Sequence, residues 1–192
     1  IIDYQSHSTT AGAHLKNRVY LPIDCLPKRS LAVHNTESWE KAQSSLHLFE
    51  KKDILFGAMR PYFHKVVVAP FSGVTRKTCF VFRACAPEYH AFSALTLFQD
   101  STIAYASAHS KGSTIPYAVW SQGMDQMAIA TPSIQIVRSF ERSAGPMIDA
   151  IIEVYSRNSN LRRTRDLLLP RLISGELDVS DLDITVPEEA CT

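Results

Sequence analysis

The sequence predicts an α+β protein: a mixed α/β domain built on a mainly antiparallel or mixed sheet, followed by one long C-terminal helix of coiled-coil character. Three observations predict it. Apolar residues alternate with period two in several short runs between positions 46 and 84. The period lengthens to that of a helix from Tyr89 onward. From 146 to 174 the chain contains no glycine, and its apolar residues recur at alternating spacings of three and four. At 192 residues, 45% hydrophobic and 20% charged, it can bury one core and carry a modest extension.

The elements follow in order. Nothing in the first 14 residues forces a fold. β-branched and aromatic residues on alternate positions predict strands over 46–49, 53–59, 65–69 and 78–84. Turn-prone pieces lie beside them: Leu26-Pro27-Lys28, Met59-Arg60-Pro61 and Pro70-Phe71-Ser72-Gly73. Past Pro87, the spacing of Tyr89, Phe92 and Leu95 predicts a helix, and Asp100 or Ser101 can cap a second short one through Tyr105. Residues 109–122, with Gly112, Ser113 and Pro116, read as a polar loop returning the chain to a short strand over 127–130. The first domain is expected to span 1–131.

A helical region is expected over 132–175. Thr131-Pro132 supplies a hydroxyl cap and a first-turn proline, and Ile136, Val137 and Phe140 form a short apolar face. Gly145-Pro146 is expected to interrupt it. Beyond, Ile151, Val154, Asn158, Leu161, Arg165, Leu168 and Leu172 make a heptad seam. A rod of about 43 Å cannot bury such a stripe alone and calls for a partner helix, unless it packs back on its own domain. Asn158 and Arg165 weaken the seam but penalise wrong registers. Gly175 fits the position just past the helix end.

The net charge of +1 conceals an asymmetry. After Arg171 come six acids and no Lys or Arg, an acidic tail over 176–192; the twenty basic groups before it face thirteen acids, a net of +7. Residues 54–87 hold Arg60, Lys65, Arg76, Lys77 and Arg83 without an acid, interleaved with Tyr62, Phe63, His64 and Thr75. Such a run suits a duplex backbone, because cations displace condensed counterions while Arg, His, Ser and Thr at turns reach base edges. A solvated charged face explains it almost as well. Ser110-Lys111-Gly112-Ser113-Thr114 adds hydroxyls, a cation and a glycine that permits close backbone approach.

Signatures of catalysis are missing. There is no Walker-type loop, no GxSxG and no HExxH, and Glu88 is the only acid between 54 and 99, so no paired-carboxylate nuclease centre assembles locally. The methyltransferase motifs for S-adenosylmethionine are absent too. Cys25, Cys79, Cys85 and Cys191 form no CxxC pair, and the seven His are scattered, which favours reduced thiols and no metal site. No apolar run approaches a membrane span and the start lacks signal-peptide regions, so a cytoplasmic, non-enzymatic protein is expected.

Three segments, KKDILFGAMRPYFHKVVVAPFSGVTRKTCFVFR (51–83), SKGSTIPYAVW (110–120) and LRRTRDLLLPRLISGEL (161–177), resemble in order a specificity subunit of type I restriction-modification systems, over about 17–184. The resemblance implies one target recognition domain reading half of a bipartite DNA site, followed by a conserved helical region that pairs as a spacer. It implies either a C-terminal half of a longer subunit or a half-subunit working as a homodimer. The implied partners are double-stranded DNA, a methyltransferase subunit that methylates adenine, a restriction nuclease subunit and a second helical region. S-adenosylmethionine, ATP and Mg are expected only on the partner subunits. DNA contacts are implied at Arg60, Tyr62, His64, Lys65, Arg76, Lys77, Lys111, Ser113 and Thr114, with core packing against Phe63 and Phe71 an equal alternative for Tyr62. Arg83 reads as a strand-end surface charge and is left out. Ile151, Val154, Asn158, Leu161, Arg165, Leu168 and Leu172 are implied in helix pairing, and Arg157, Arg162 and Arg163 in contact with the methyltransferase or phosphate. Two other readings stay open: the recognition segment of a single-chain restriction-methyltransferase, and an adaptor or decoy that captures a methyltransferase without reading DNA.

Overall fold

A computed structural model describes residues 1–43 and 45–180. The chain divides into two compact units, Ile1–Ser156 and Arg157–Thr192. The strands of the first unit are β1 (Ile2–Tyr4), β2 (Ser8–Thr10), β3 (Val19–Tyr20), β4 (Ser45–Phe49), β5 (Ile54–Gly57), β6 (Val66–Val68), β7 (Gly73–Arg76), β8 (Cys79–Ala84), β9 (Ser110–Lys111) and β10 (Tyr117–Ala118). Its helices are α1 (His90–Phe98), α2 (Asp100–Ala108) and the start of α3 (Ile134–Ile173).

Two four-stranded sheets form the frame, ordered β1-β8-β5-β6 and β2-β4-β7-β3, with β9 and β10 as a separate ladder. The pairings are antiparallel except β3 with β7, so the sheets are mixed, and with the helices the class is α+β. The alternation in β5 and β8 has a direct consequence. Ile54, Phe56, Phe80 and Phe82 point into a core closed by α1, α2 and Ile148 of α3. Leu55, Val81 and Cys79 point the other way, onto Leu21, Ile23, Leu26 and Phe49. Both faces of the central sheet are therefore buried, one under helices and one under the second sheet.

Several expectations need correction. The opening residues do fold: β1 pairs with β8 and β2 with β4. Tyr4 holds β1 in place by packing on Phe80, Phe82 and Trp120. Gly73 is the first residue of β7 rather than the end of a turn, because a Cβ there would strike the Val19 carbonyl and the Phe49 ring. The predicted polar loop contains the β9 and β10 ladder. No strand forms over 127–130.

The largest difference lies in α3, which runs through Gly145-Pro146 without interruption. Proline removes one backbone donor there, but packing on both sides overrides that local loss. Val137 and Ile148 are buried, Glu141 accepts a hydrogen bond from the Ala91 N–H at 2.6 Å, and Arg138 pairs with Glu88 at 3.1 Å. The second unit is different. From Arg157 to Ser180 no residue is buried. The last part of the acidic tail, 181–192 with Cys191, lies outside the described residues.

Candidate nucleic-acid interface

Backbone hydrogen bonds tie three loops of the first unit to one another. Leaving β5, Ala58 donates to Thr78 O at 2.9 Å and accepts from Ala118 N at 2.8 Å. Met59 forms an antiparallel bridge with Tyr117, and Arg60 N donates to Pro116 O at 2.7 Å. The Tyr117 hydroxyl donates to the carbonyl of Lys77, and Tyr117 itself stands opposite Lys111 in the β9 and β10 ladder. Tyr117 thus joins the loops that carry Arg60, Lys77 and Lys111. Burial, ahead of the nearby Tyr4 and Cys79, pushes its phenol up to about 12, so it remains a donor at neutral pH.

Each loop presents a different chemistry. The turn from β7 to β8 exposes Arg76 and Lys77; burial, and then the charge of Lys77, holds the imidazole of His47 below its ordinary range. The tip between β9 and β10 exposes Lys111, Ser113 and Thr114. Gly112 has φ +92, and a side chain there would press on the Ile115 carbonyl. None of these turns contains an acid.

The loop after β5 has the most unusual backbone. A single 3₁₀ turn, Pro61–Phe63, is bracketed by Arg60 at φ 51 and His64 at φ 53, both left-handed. Each such non-glycine residue costs about 1–3 kcal/mol and persists only where its surroundings over-determine it. Tyr62, at the turn, is 53% exposed and meets the edge of Phe63 rather than Phe71, which removes core packing as its role. The Lys28 ammonium sits 4.3 Å from the centre of the Phe63 ring, a cation–π contact that brings another positive charge to the loop.

Two of the nine expected DNA contacts are placed otherwise. His64 is 3% exposed; its Nε2 lies 2.7 Å from the Phe98 carbonyl and its Nδ1 3.2 Å from Asp100, so its ring meets protein and not a base edge. Lys65 is half-buried, with its ammonium bonded to Ile23 O at 2.7 Å. Arg60, Tyr62, Arg76, Lys77, Lys111, Ser113 and Thr114 remain at least partly exposed. Residues that sequence reasoning passed over are Tyr117, Lys28 and Arg29. The apolar run from Ile115 to Trp120 inside a supposedly polar loop was the available signal for Tyr117. Lys28 stands in the turn-prone Leu26-Pro27-Lys28, but nothing local ties it or Arg29 to this loop, which they reach only through the tertiary fold.

Arg83, set aside as a surface charge, makes a two-toothed ion pair with the buried carboxylate of Asp53 at 2.7 Å. That pair lines a cleft of about 730 Å³ beside α3. Most of the charges there are matched within the protein, Arg138 with Glu88 and Lys52 with Asp149. Among the described residues, no group of three His, Cys, Asp or Glu side chains is placed to hold a metal ion, and no helix is long and apolar enough to cross a membrane.

The helix offers a second kind of surface. In the first unit Ile151 and Val154 are exposed, and Ile136, Phe140 and Met147 extend the same period upstream through Gly145-Pro146. In the second unit Leu161, Leu168 and Leu172 are exposed, as are Asn158 and Arg165, the latter paired with its neighbour Asp166 at 2.7 Å.

No family model matches the chain. Over 86 residues, 45% of its length, it is 30% identical to the HindI specificity subunit of a type I restriction enzyme from Haemophilus influenzae, of which the match spans 19%. Over 72 residues, 38% of its length, it is 35% identical to the MjaIX specificity subunit from Methanocaldococcus jannaschii, of which the match spans 16%. These matches therefore cover less than a fifth of either relative. In structure, 89% of the chain superposes on 45% of the HsdS subunit from Thermoanaerobacter tengcongensis with a TM-score of 0.54 at 15% identity. A chain from a structure of the assembly and conformational transition of the type I R-M system gives 0.55 at 16% identity over the same shares. In sequence over those stretches, and in fold over 89% of its length, the chain resembles a specificity subunit of a type I restriction enzyme.

Proposed function

We propose that this chain is a DNA-recognition component of a type I restriction-modification complex, reading one half of a bipartite target through the three tied loops of its first unit. The observation that carries the reading is the convergence, through Tyr117, of Arg60, Lys77 and Lys111 on loops free of acids. The cations would neutralise phosphates and hold the protein in register, while Tyr62, Ser113 and Thr114 would meet base edges or sugars. β5 and β8, buried on both faces, give the Arg60 and Lys77 loops a rigid base, and the Tyr117 ties fasten the third loop to them.

The exposed stripe of α3 would pair with a second helical region, from another copy or from another half of a longer subunit, and so fix the distance between two half-sites. Methyl transfer and cleavage would belong to the methyltransferase and nuclease subunits, with S-adenosylmethionine, ATP and Mg bound there and none of them on this chain. The test is enrichment of a randomised duplex pool by the full chain, alone and with the methyltransferase subunit. A recurring short sequence supports recognition. Capture of the methyltransferase with no sequence enriched would instead favour the adaptor reading.

A further inference from the structure

His64 is buried, and the loop that displays Tyr62 is anchored through it. A carbonyl oxygen can only accept, so the 2.7 Å contact with Phe98 O fixes the proton on Nε2 as donor. The ring lies against Phe98, with centroids 4.6 Å apart. On its other side, the buried Nδ1 lies 3.2 Å from Asp100 Oδ1 without hydrogen-bond geometry, and that oxygen is held instead by the guanidinium of Arg29 at 2.9 Å. The backbone repeats the connection. His64 O accepts from Arg29 N at 2.9 Å, and His64 N donates to Pro61 O at 2.8 Å. Three segments distant in sequence therefore meet at one residue: the Arg29 turn through the His64 carbonyl, the reading loop itself, and the junction between α1 and α2 through the His64 ring.

Arg29 is itself left-handed at φ 52, as are Arg60 and His64. A backbone held in this way does not relax into its shape on binding; it is already there. Preset loops lose less freedom when they engage a partner, and the side chain at their tip meets it in one orientation. At this tip the side chain is Tyr62, with a flat ring able to lie against a base or sugar and a hydroxyl able to bond a base edge.

We propose that His64, with Arg29 and Asp100, is a latch that presets the 60–64 loop, making His64 a positioning residue for DNA recognition and Tyr62 the loop's contact with the duplex. The proposal rests on the DNA-reading function above and specifies how one of its loops works.

The test compares His64→Gln with His64→Met in the full chain. The two side chains match closely in shape and carry a similar left-handed backbone burden, but only Gln can donate to Phe98 O. In the free protein, His64→Met should speed amide exchange at Arg29, Phe63 and His64 by about tenfold or more, with β5 and β8 unchanged and His64→Gln restoring most of the protection. Asp100→Asn, on an exposed side chain, should give a smaller change at the same amides. Against a duplex enriched by the wild-type chain, His64→Met and Tyr62→Ala should each weaken binding by about tenfold. Affinity for an unrelated duplex and the salt slope should stay the same, and His64→Gln should recover the specific affinity. Unaltered exchange in His64→Met overturns the latch. So does a parallel loss on specific and unrelated duplexes, which signals general damage, and wild-type binding by Tyr62→Ala overturns its role at the tip. If the wild-type chain enriches no duplex, the DNA-reading proposal fails, while the exchange comparison still decides the latch.

Discussion

The pair of strands β5 and β8 and the distal part of α3 are both rich in apolar residues, yet they end in opposite states. In the strands Ile54, Leu55, Phe56, Phe80, Val81 and Phe82 are all buried, because each face of the sheet meets another layer of the same unit. From Arg157 onward the helix carries Leu161, Leu167, Leu168, Leu169, Leu172 and Ile173, every one exposed. Apolar content alone does not distinguish them. Period does: alternation by two gives a sheet that its own chain can cover on both faces, whereas alternation by three and four gives a single stripe that calls for another helix.

The largest effects should separate these regions. Phe82→Ala is expected to cost about 3–5 kcal/mol of stability, as a large cavity in a closed core does. Leu161→Ala should change the stability of the isolated chain by no more than about 0.5 kcal/mol. In turn, Leu161→Ala combined with Leu168→Ala should reduce helix pairing in sedimentation runs over a concentration series. Denaturant unfolding checks the first pair of numbers. A comparable loss in the helix variant would mean that its stripe is already covered.

Next in size is the Asp53 and Arg83 pair. Asp53 is 1% exposed and also accepts from Glu50 N at 2.7 Å, so it has no access to water to fall back on. Arg83→Ala would strand that carboxylate, and a loss of about 2–3 kcal/mol is expected, reduced from the fully buried case because half of the Arg83 side chain is open to solvent. A double-mutant cycle with Asp53→Asn should show strong coupling. Additive effects would contradict the pairing.

Acid should act in two stages, both destabilising. Burial, with Lys77 behind it, keeps the His47 imidazole below its usual range, so below about pH 6.5 the unfolded chain takes up a proton that the folded chain refuses, and stability falls. His47→Gln should remove this first limb from a pH series of unfolding curves. Glu50, held down by the Ser72 hydroxyl and then Arg18, has a depressed folded value, as does Asp100 through Arg29. Their contribution is complete above the ordinary carboxylate range and fades as pH drops through the lower folded values, a second and shallower limb.

The same contrast explains what was legible in the sequence. The strands over 46–49, 53–59, 65–69 and 78–84 were readable to within two residues at either end, because alternation of Leu, Val and Phe is a local signal. β1 and β2, three residues each, depend on partners about eighty and forty positions away and leave no local trace. β7 hid behind Gly73, whose glycine serves close approach rather than a turn. The break expected at Gly145-Pro146 failed because local propensity was weighed without Val137 and Ile148 docking on either side. At the site, exposed cations at turns were legible as residue types. The burial of His64 was not, since it is decided by Phe98 and Asp100, 34 and 36 positions downstream.

The measurement that bears most directly on recognition by the tied loops is duplex affinity over a salt series, for the wild-type chain and for Lys77→Ala combined with Lys111→Ala, each with the methyltransferase subunit present. If both lysines meet phosphates, the slope of log affinity against log salt becomes shallower by about 1.8 in the variant, roughly 0.9 per lost contact. Parallel lines with equal affinity would place the DNA elsewhere and contradict the account.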